Sequence, residues 1–381
     1  MNLSKFDEIR PFEPNELPEV FDRLIADAQF RAVLGYLYPG VPVDAIAAKM
    51  RQCRTNLDFQ KAFCYGFLKD LLKKASTGCD MNAAAIDTDG RYTFVSNHRD
   101  IVLDSALLDM LLIDSGFNTT CEIAIGDNLL AAPWIKDLVR VNKSFIVLRS
   151  AGIREMLANS RRMSEYMHVV VGEKHDNVWI AQREGRAKDS DDRTQSSILK
   201  MMAMGGEGSA VERLRQLHIV PLAISYEYDP CDWLKAQEFQ LKRDIEGWTK
   251  SKADDVMSMQ TGIMGYKGRI HYHCAPCIDE WLLSIADTPK GELFEVVAQH
   301  IDKEIHSNYS LFANNYIALD MLNGNSDNAG KYTAGEKERF TKYLEGQLAK
   351  IKIDNKDEDF LRNKMILMYA NPAKNQLAAK G

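Results

Sequence analysis

From Arg91 onward, short β-type runs alternate with helical stretches, and this alternation constrains the fold more than any other feature of the 381-residue chain. Residues 92–96, 122–125, 145–148, 178–181 and 218–225 are rich in Val, Ile and aromatic side chains and are too short for helices. Helical patterns fill the gaps at 103–115, 152–167 and 195–204, and 269–274 reads as a late strand. Strand–helix alternation of this kind predicts an α/β fold, with a mixed, largely parallel sheet flanked by helices. Before it, Val20, Phe21, Leu24, Ile25 and Ala28 recur at helical spacing after Pro18, and Phe59, Phe63 and Phe67 follow a capping residue at Thr55. After Asp279, helical patterns return at 292–309 and 336–351, with a polar break at 323–331. The expected organisation is an N-terminal helical region at 1–90, an α/β domain at 91–280 and a C-terminal helical extension at 281–381.

Charge and cysteine usage narrow the function classes. A net charge of −6 argues against a general nucleic-acid binder, which needs a basic face. The first residues, MNLSKFDEIRPFEPNE, carry charge where a signal peptide needs an apolar core, and the most apolar region, 101–113, is broken by Asp104 and Asp109. Seven scattered cysteines fit reduced thiols better than a disulfide framework. These features together give the expectation of a cytoplasmic protein with room for a peripheral contact with lipid.

Chemistry in α/β sheets collects where strands end, so the polar residues after each predicted strand carry the functional argument. Ser96-Asn97-His98-Arg99-Asp100-Ile101-Val102-Leu103-Asp104 runs from a strand into a His, an Arg and two acids as a helix begins. A histidine there can deprotonate a hydroxyl near neutral pH, and a carboxylate on its other ring nitrogen would fix the tautomer. The run Phe145 to Leu148 delivers Arg149 and Ser150. The run Val178 to Ala181 is followed by Gln182-Arg183-Glu184-Gly185-Arg186-Ala187-Lys188, whose guanidinium groups suit bidentate recognition of phosphate. Gly185 would admit a close backbone approach, and Glu184 could hold the arginines. The fourth run, from Ile219 to Glu227, contains Pro221, which prefers an edge strand or the first positions of a strand.

In this order the four segments resemble the glycerolipid acyltransferase superfamily, whose members are the glycerol-3-phosphate and lysophosphatidate acyltransferases. There a His and an Asp come first, then an apolar run ending in Arg, then Glu-Gly with an Arg, then a strand with Pro. The resemblance covers about residues 91 to 228 and includes Gly126-Asp127-Asn128-Leu129 and Pro133-Trp134; the Ser225-Tyr226-Glu227 ending looks closest to the glycerol-3-phosphate branch. It implies a glycerolipid acyltransferase-like fold and an O-acyltransferase of phospholipid synthesis. His98 would be the general base oriented by Asp104, with Arg99, Arg149, Glu184, Gly185 and Arg186 at the acceptor's anionic head and Arg183 and Arg193 as lesser candidates. The donor would be acyl-CoA or acyl carrier protein, the acceptor glycerol 3-phosphate or a lysophospholipid, and no cofactor would be needed.

Two spacings depart from the family. His-x4-Asp would fall on Leu103, and one extra residue turns a helix by about 100°, so Asp104 reaches His98 only if the turn absorbs the insertion; Asp100 is the other carboxylate in range. Arg186 follows Gly185 directly, without the family's intervening residue. Transfer to a lyso-aminolipid, and a non-catalytic lipid-binding protein on the same fold, stand as alternatives. His271-Tyr272-His273-Cys274-Ala275-Pro276-Cys277 offers four zinc-ligand types in one segment but reads as a buried strand end, so no metal site is expected there. The sequence has no G-x-S-x-G nucleophile elbow, and Gly205-Gly206-Glu207-Gly208-Ser209 lacks the lysine of a P-loop.

Overall fold

Six of the β-type runs become strands of one seven-stranded sheet in the computed structural model, which describes residues 3–130, 132–149 and 152–381. The strands are β1 (Gly78–Asn82), β2 (Thr93–Ser96), β3 (Cys121–Gly126), β4 (Ser144–Val147), β5 (Asn177–Ala181), β6 (Ile219–Tyr226) and β7 (Arg269–Cys274), in the order β1-β7-β6-β2-β5-β3-β4. β2 to β6 are mutually parallel, while β7 runs antiparallel to β6 and carries β1 parallel to itself. The sheet is therefore largely parallel and mixed at one edge, as the alternation predicts. All residues of β6 are buried, consistent with a parallel strand covered on both faces.

Side-chain alternation divides the sheet between two cores. Val95, Val178, Ile180, Ile219 and Ala223 face one core, and Phe94, Trp179, Val220, Leu222 and Ile224 the other. Ahead of the sheet lie α1 (Leu17–Ala26), α2 (Ala28–Leu37), α3 (Val43–Met50), α4 (Asn56–Phe59) and α5 (Gly66–Ala75). Between strands come α6 (Leu103–Asp114), α7 (Pro133–Val141), α8 (Ile153–Val169), α9 (Ser196–Met202), α10 (Ala210–Arg215), α11 (Asp232–Asp244) and α12 (Lys252–Met264). The chain closes with α13 (Asp279–Ser284), α14 (Leu293–Ser307), α15 (Ala313–Asn323), α16 (Ala334–Lys350) and α17 (Glu358–Lys380). α8, α9, α10, α13 and α14 cover the first core, and α5 and α6 the second. The N-terminal helices pack mostly on one another and on Val141, and α11 joins α15, α16 and α17 in a fourth cluster.

Two local readings need correction. The first ninety residues are not all helical, because Gly78–Asn82 forms an edge strand with a half-buried, Gly-Cys-Asp-Met-Asn sequence that carries no β-branched residue. The Phe59–Phe63–Phe67 stripe is not one regular helix: Thr55 forms a capping box with Asp58, and a π-helical turn at Gln60–Tyr65 then joins α4 to α5. That turn sends Phe59 and Phe63 into the N-terminal core and Phe67 towards the sheet. Pro221 is the third residue of β6, an internal strand, so it takes the expected position near the start of a strand and not at an edge. Its carbonyl accepts from Ala275 N at 2.9 Å, just past the end of β7, so its missing N–H falls where the ladder to β7 has stopped. Among the described residues no helix is long and apolar enough to cross a membrane.

Candidate active site

The end of β2 builds the centre of the site. Asn97 is fully buried and extends the sheet by its side chain, its amide donating to Ile224 O at 2.9 Å and its Oδ1 accepting from Ile224 N at 2.8 Å. This anchors the next residue, His98, above the β2–β6 junction. His98 Nδ1 lies 2.8 Å from Asp104 Oδ2, and the same oxygen accepts from the backbone N–H of Arg99 at 2.6 Å and of Asp100 at 3.0 Å. A buried oxygen that receives two amide protons is an acceptor, so the His98–Asp104 contact places the imidazole proton on Nδ1 and leaves Nε2 as the basic nitrogen. The ring meets Trp179 edge to face at 5.6 Å, and Trp179 is itself held by its Nε1–H to Ser96 Oγ at 3.0 Å.

The extra residue between His98 and Asp104 is taken up in the turn. Asp100 Oδ1 accepts from Val102 N at 2.9 Å and Leu103 N at 2.8 Å, which caps the start of α6 and puts Asp104 in its first turn. Asp100 therefore faces the helix amides and Asp104 faces His98. Burial and the neighbouring Asp104 push the Asp100 carboxyl above the usual range, against the pull of those two amides. From above, α12 closes on this turn: a Cβ on Gly262 would stand 2.0 Å from Asp100 Oδ2. The Tyr272 hydroxyl donates to the Asp104 carbonyl at 2.9 Å.

The arginines separate into two groups. Arg149 ends β4 at the surface, where its Nη1 is 3.2 Å from Glu184 Oε1 and its backbone N–H donates to Asp127 Oδ2 at 3.2 Å. Ser150 lies outside the described residues. Glu184 and Gly185 are exposed after β5, and Gly185 takes the left-handed φ of +67° that a side chain would resist. Arg186 lies close enough to Asp100 to draw its carboxyl down, and Arg186 Nη1 and Arg183 Nε are buried atoms without a hydrogen-bond partner. Arg193 pairs with Asp191 at 3.1 Å.

Arg99, expected at the acceptor's anionic head, is held by protein side chains, with its Nη1 a buried atom without a hydrogen-bond partner. Its guanidinium is buried, 2.7 Å from Asp192 Oδ2 and over the Tyr309 ring, while Tyr309 OH donates to the same Asp192 oxygen at 2.5 Å. Lys188 is likewise engaged, with Glu238 of α11 at 2.6 Å. Lys235 of α11 donates to the Arg99 carbonyl at 3.2 Å and pairs with Asp229. Asp192, Tyr309, Lys235 and Gly262 thus brace the His98 turn from chain segments with no visible motif. Asn97 could have been singled out, since it stands between the strand and His98.

Residues 80–225 match the family model described as Acyltransferase. The crystal structure of the 1-acyl-sn-glycerophosphate (LPA) acyltransferase PlsC from Thermotoga maritima resembles the chain at 12% sequence identity and a TM-score of 0.35, covering 75% of this chain and 96% of that one. No curated protein matches the chain. The segment from 80 to 225, with the four motifs now found at its strand ends, thus matches an acyltransferase family model, and those motifs resemble the glycerolipid acyltransferase superfamily.

Proposed function

We propose that the protein transfers a fatty acyl group from acyl-CoA or acyl carrier protein to a hydroxyl of glycerol 3-phosphate or a lysophospholipid. The observation that carries this reading is the 2.8 Å contact of His98 Nδ1 with Asp104 Oδ2. His98 Nε2 takes the proton of the acceptor hydroxyl while that oxygen attacks the thioester carbonyl. The C–O ester bond forms, the C–S bond breaks, and the proton passes from His98 to the departing thiolate. Asp104 holds the ring and stabilises the imidazolium between these steps. No covalent enzyme intermediate is required.

The acceptor's anionic head is assigned to Arg149, Glu184, Gly185, Arg186 and Arg183. Arg149 is exposed, with only a surface pair to Glu184 to give up, and such pairs are worth roughly 0–1 kcal/mol. The buried, unpartnered Nη1 of Arg186 and Nε of Arg183 support an anion there, since buried donors are otherwise satisfied. A peripheral position on the inner membrane face follows from a lipid acceptor. His98→Ala tests the reading: acyl transfer from a labelled donor is expected to fall by roughly 10²–10⁴ with the melting temperature unchanged. Turnover within a few-fold of wild type would remove His98 from the mechanism.

A further inference from the structure

Three side chains that acyl transfer does not use converge at the end of the sheet opposite His98. His218 precedes β6, and Cys277 and Asp279 follow β7, whose antiparallel course returns the chain to the start of β6. One donor atom of each, an imidazole nitrogen, a sulfur and a carboxylate oxygen, lies within 4.8 Å of the other two. Backbone bonds fix them side by side. His218 N donates to Arg215 O at 3.0 Å, its carbonyl accepts from Thr93 N at 3.2 Å, and Ile278 N donates to Ile219 O at 3.0 Å. His218 holds a left-handed φ of +46°, uncommon for a residue with a side chain. Asp279 Oδ2 meets His218 Nδ1 at 2.5 Å, and Asp279 Oδ1 is a buried atom without a hydrogen-bond partner. Arg215 bonds the Asp279 carbonyl at 3.2 Å rather than its carboxylate.

We propose that His218, Cys277 and Asp279 bind one zinc ion in a three-ligand site that ties the turn before β6 to the loop after β7. Thiolate, imidazole and carboxylate together select zinc over calcium or magnesium, which take oxygen ligands. A tetrahedral ion bonded at 2.0–2.3 Å sets its donors about 3.4–3.7 Å apart, so His218 and Asp279 must part by about 1 Å. His218 is half exposed and can swing to admit the ion, with the fourth position left to water. One thiolate and one carboxylate balance the ion's charge. The ligands come from two separated segments, whereas within 271–277 His271 is taken by Asp80 and Cys274 is buried in β7.

The test uses the full chain, free of any histidine tag and produced in zinc-supplemented medium. Elemental analysis is expected to give one zinc per chain. Cobalt(II) added to the zinc-free protein is expected to give a thiolate-to-cobalt charge-transfer band in the near ultraviolet, and zinc to raise Tm. Cys277→Ser and the half-exposed His218→Asn should each weaken binding by at least about tenfold and lose that Tm rise. Zinc-free wild type with no Tm response, or full zinc retention in both variants, would overturn the site.

Discussion

Arg99 and Arg149 carry the same side chain into opposite environments, and the difference decides what each substitution does. Removing one member of a buried ion pair leaves the other charge stranded, which costs roughly 3–5 kcal/mol. Arg99→Ala is therefore expected to lower unfolding free energy by about that amount, because Asp192 stays buried without its partner. Arg149→Ala, at an exposed site, is expected to stay within roughly 0.5 kcal/mol of wild type while raising KM for an anionic acceptor. Chemical denaturation and steady-state kinetics on the two variants check this; equal stability losses would contradict the division. At this scale the residue types were legible in the sequence and their partners were not. His98 and Asp104 stood out by kind, but their contact depends on Asp100 capping α6, and a spacing count carries no such information. Arg99 looked like an anion ligand because its partner, Asp192, lies in a loop 93 residues away in the chain.

α12 shows how a whole element can bear on the His98 turn without contributing a side chain to it. Gly262 lets its backbone approach Asp100, and a methyl there would meet the carboxylate at 2.0 Å. Gly262→Ala is expected to destabilise the protein by roughly 1–3 kcal/mol, the usual range for overpacking, and to lower activity by shifting the His98 turn. Gly346→Ala, in α16 with nothing within 4 Å of the added Cβ, should stabilise by roughly 0.5–1 kcal/mol. Thermal unfolding of both variants separates the cases, and a neutral Gly262→Ala would show that α12 does not clamp the turn. The strands were readable where they lie in the parallel interior, because burial on both faces writes a continuous apolar run, as in Val178-Trp179-Ile180 of β5. β1 was not, since an edge strand needs little apolar surface. The π-helical turn was hidden because one residue added within a helix leaves the Phe59–Phe63 spacing intact.

Over the whole molecule the C-terminal helices brace the site. Asn371 of α17 donates to the Asp189 carbonyl at 2.8 Å, Asn375 to Asp191 Oδ1 at 3.1 Å, and His306 lies 2.8 Å from the Asp192 carbonyl through Nε2. The loop that pairs with Arg99 is thus held from 281–381, which periodicity alone marks only as helical. The helices meet at Asp232, which accepts from Tyr343 OH and Tyr369 OH, each at 2.8 Å. Burial, with Asp229 nearby, raises the Asp232 carboxyl to about 7. The native state then binds a proton that the unfolded chain, with an Asp near 3.9, releases. Asp232 thus contributes stability below about pH 4 that is lost as pH rises towards 7. Asp232→Asn should flatten the decline in stability between those values, and parallel curves for variant and wild type would refute it. The central claim is acyl transfer by His98, and the most direct measurement is product analysis. Purified protein is incubated with labelled acyl-CoA or acyl carrier protein and with glycerol 3-phosphate, lysophospholipids and lyso-aminolipids in turn. A labelled ester from wild type and none from His98→Ala is the predicted result; no product with any acceptor, or equal product from both proteins, would contradict it.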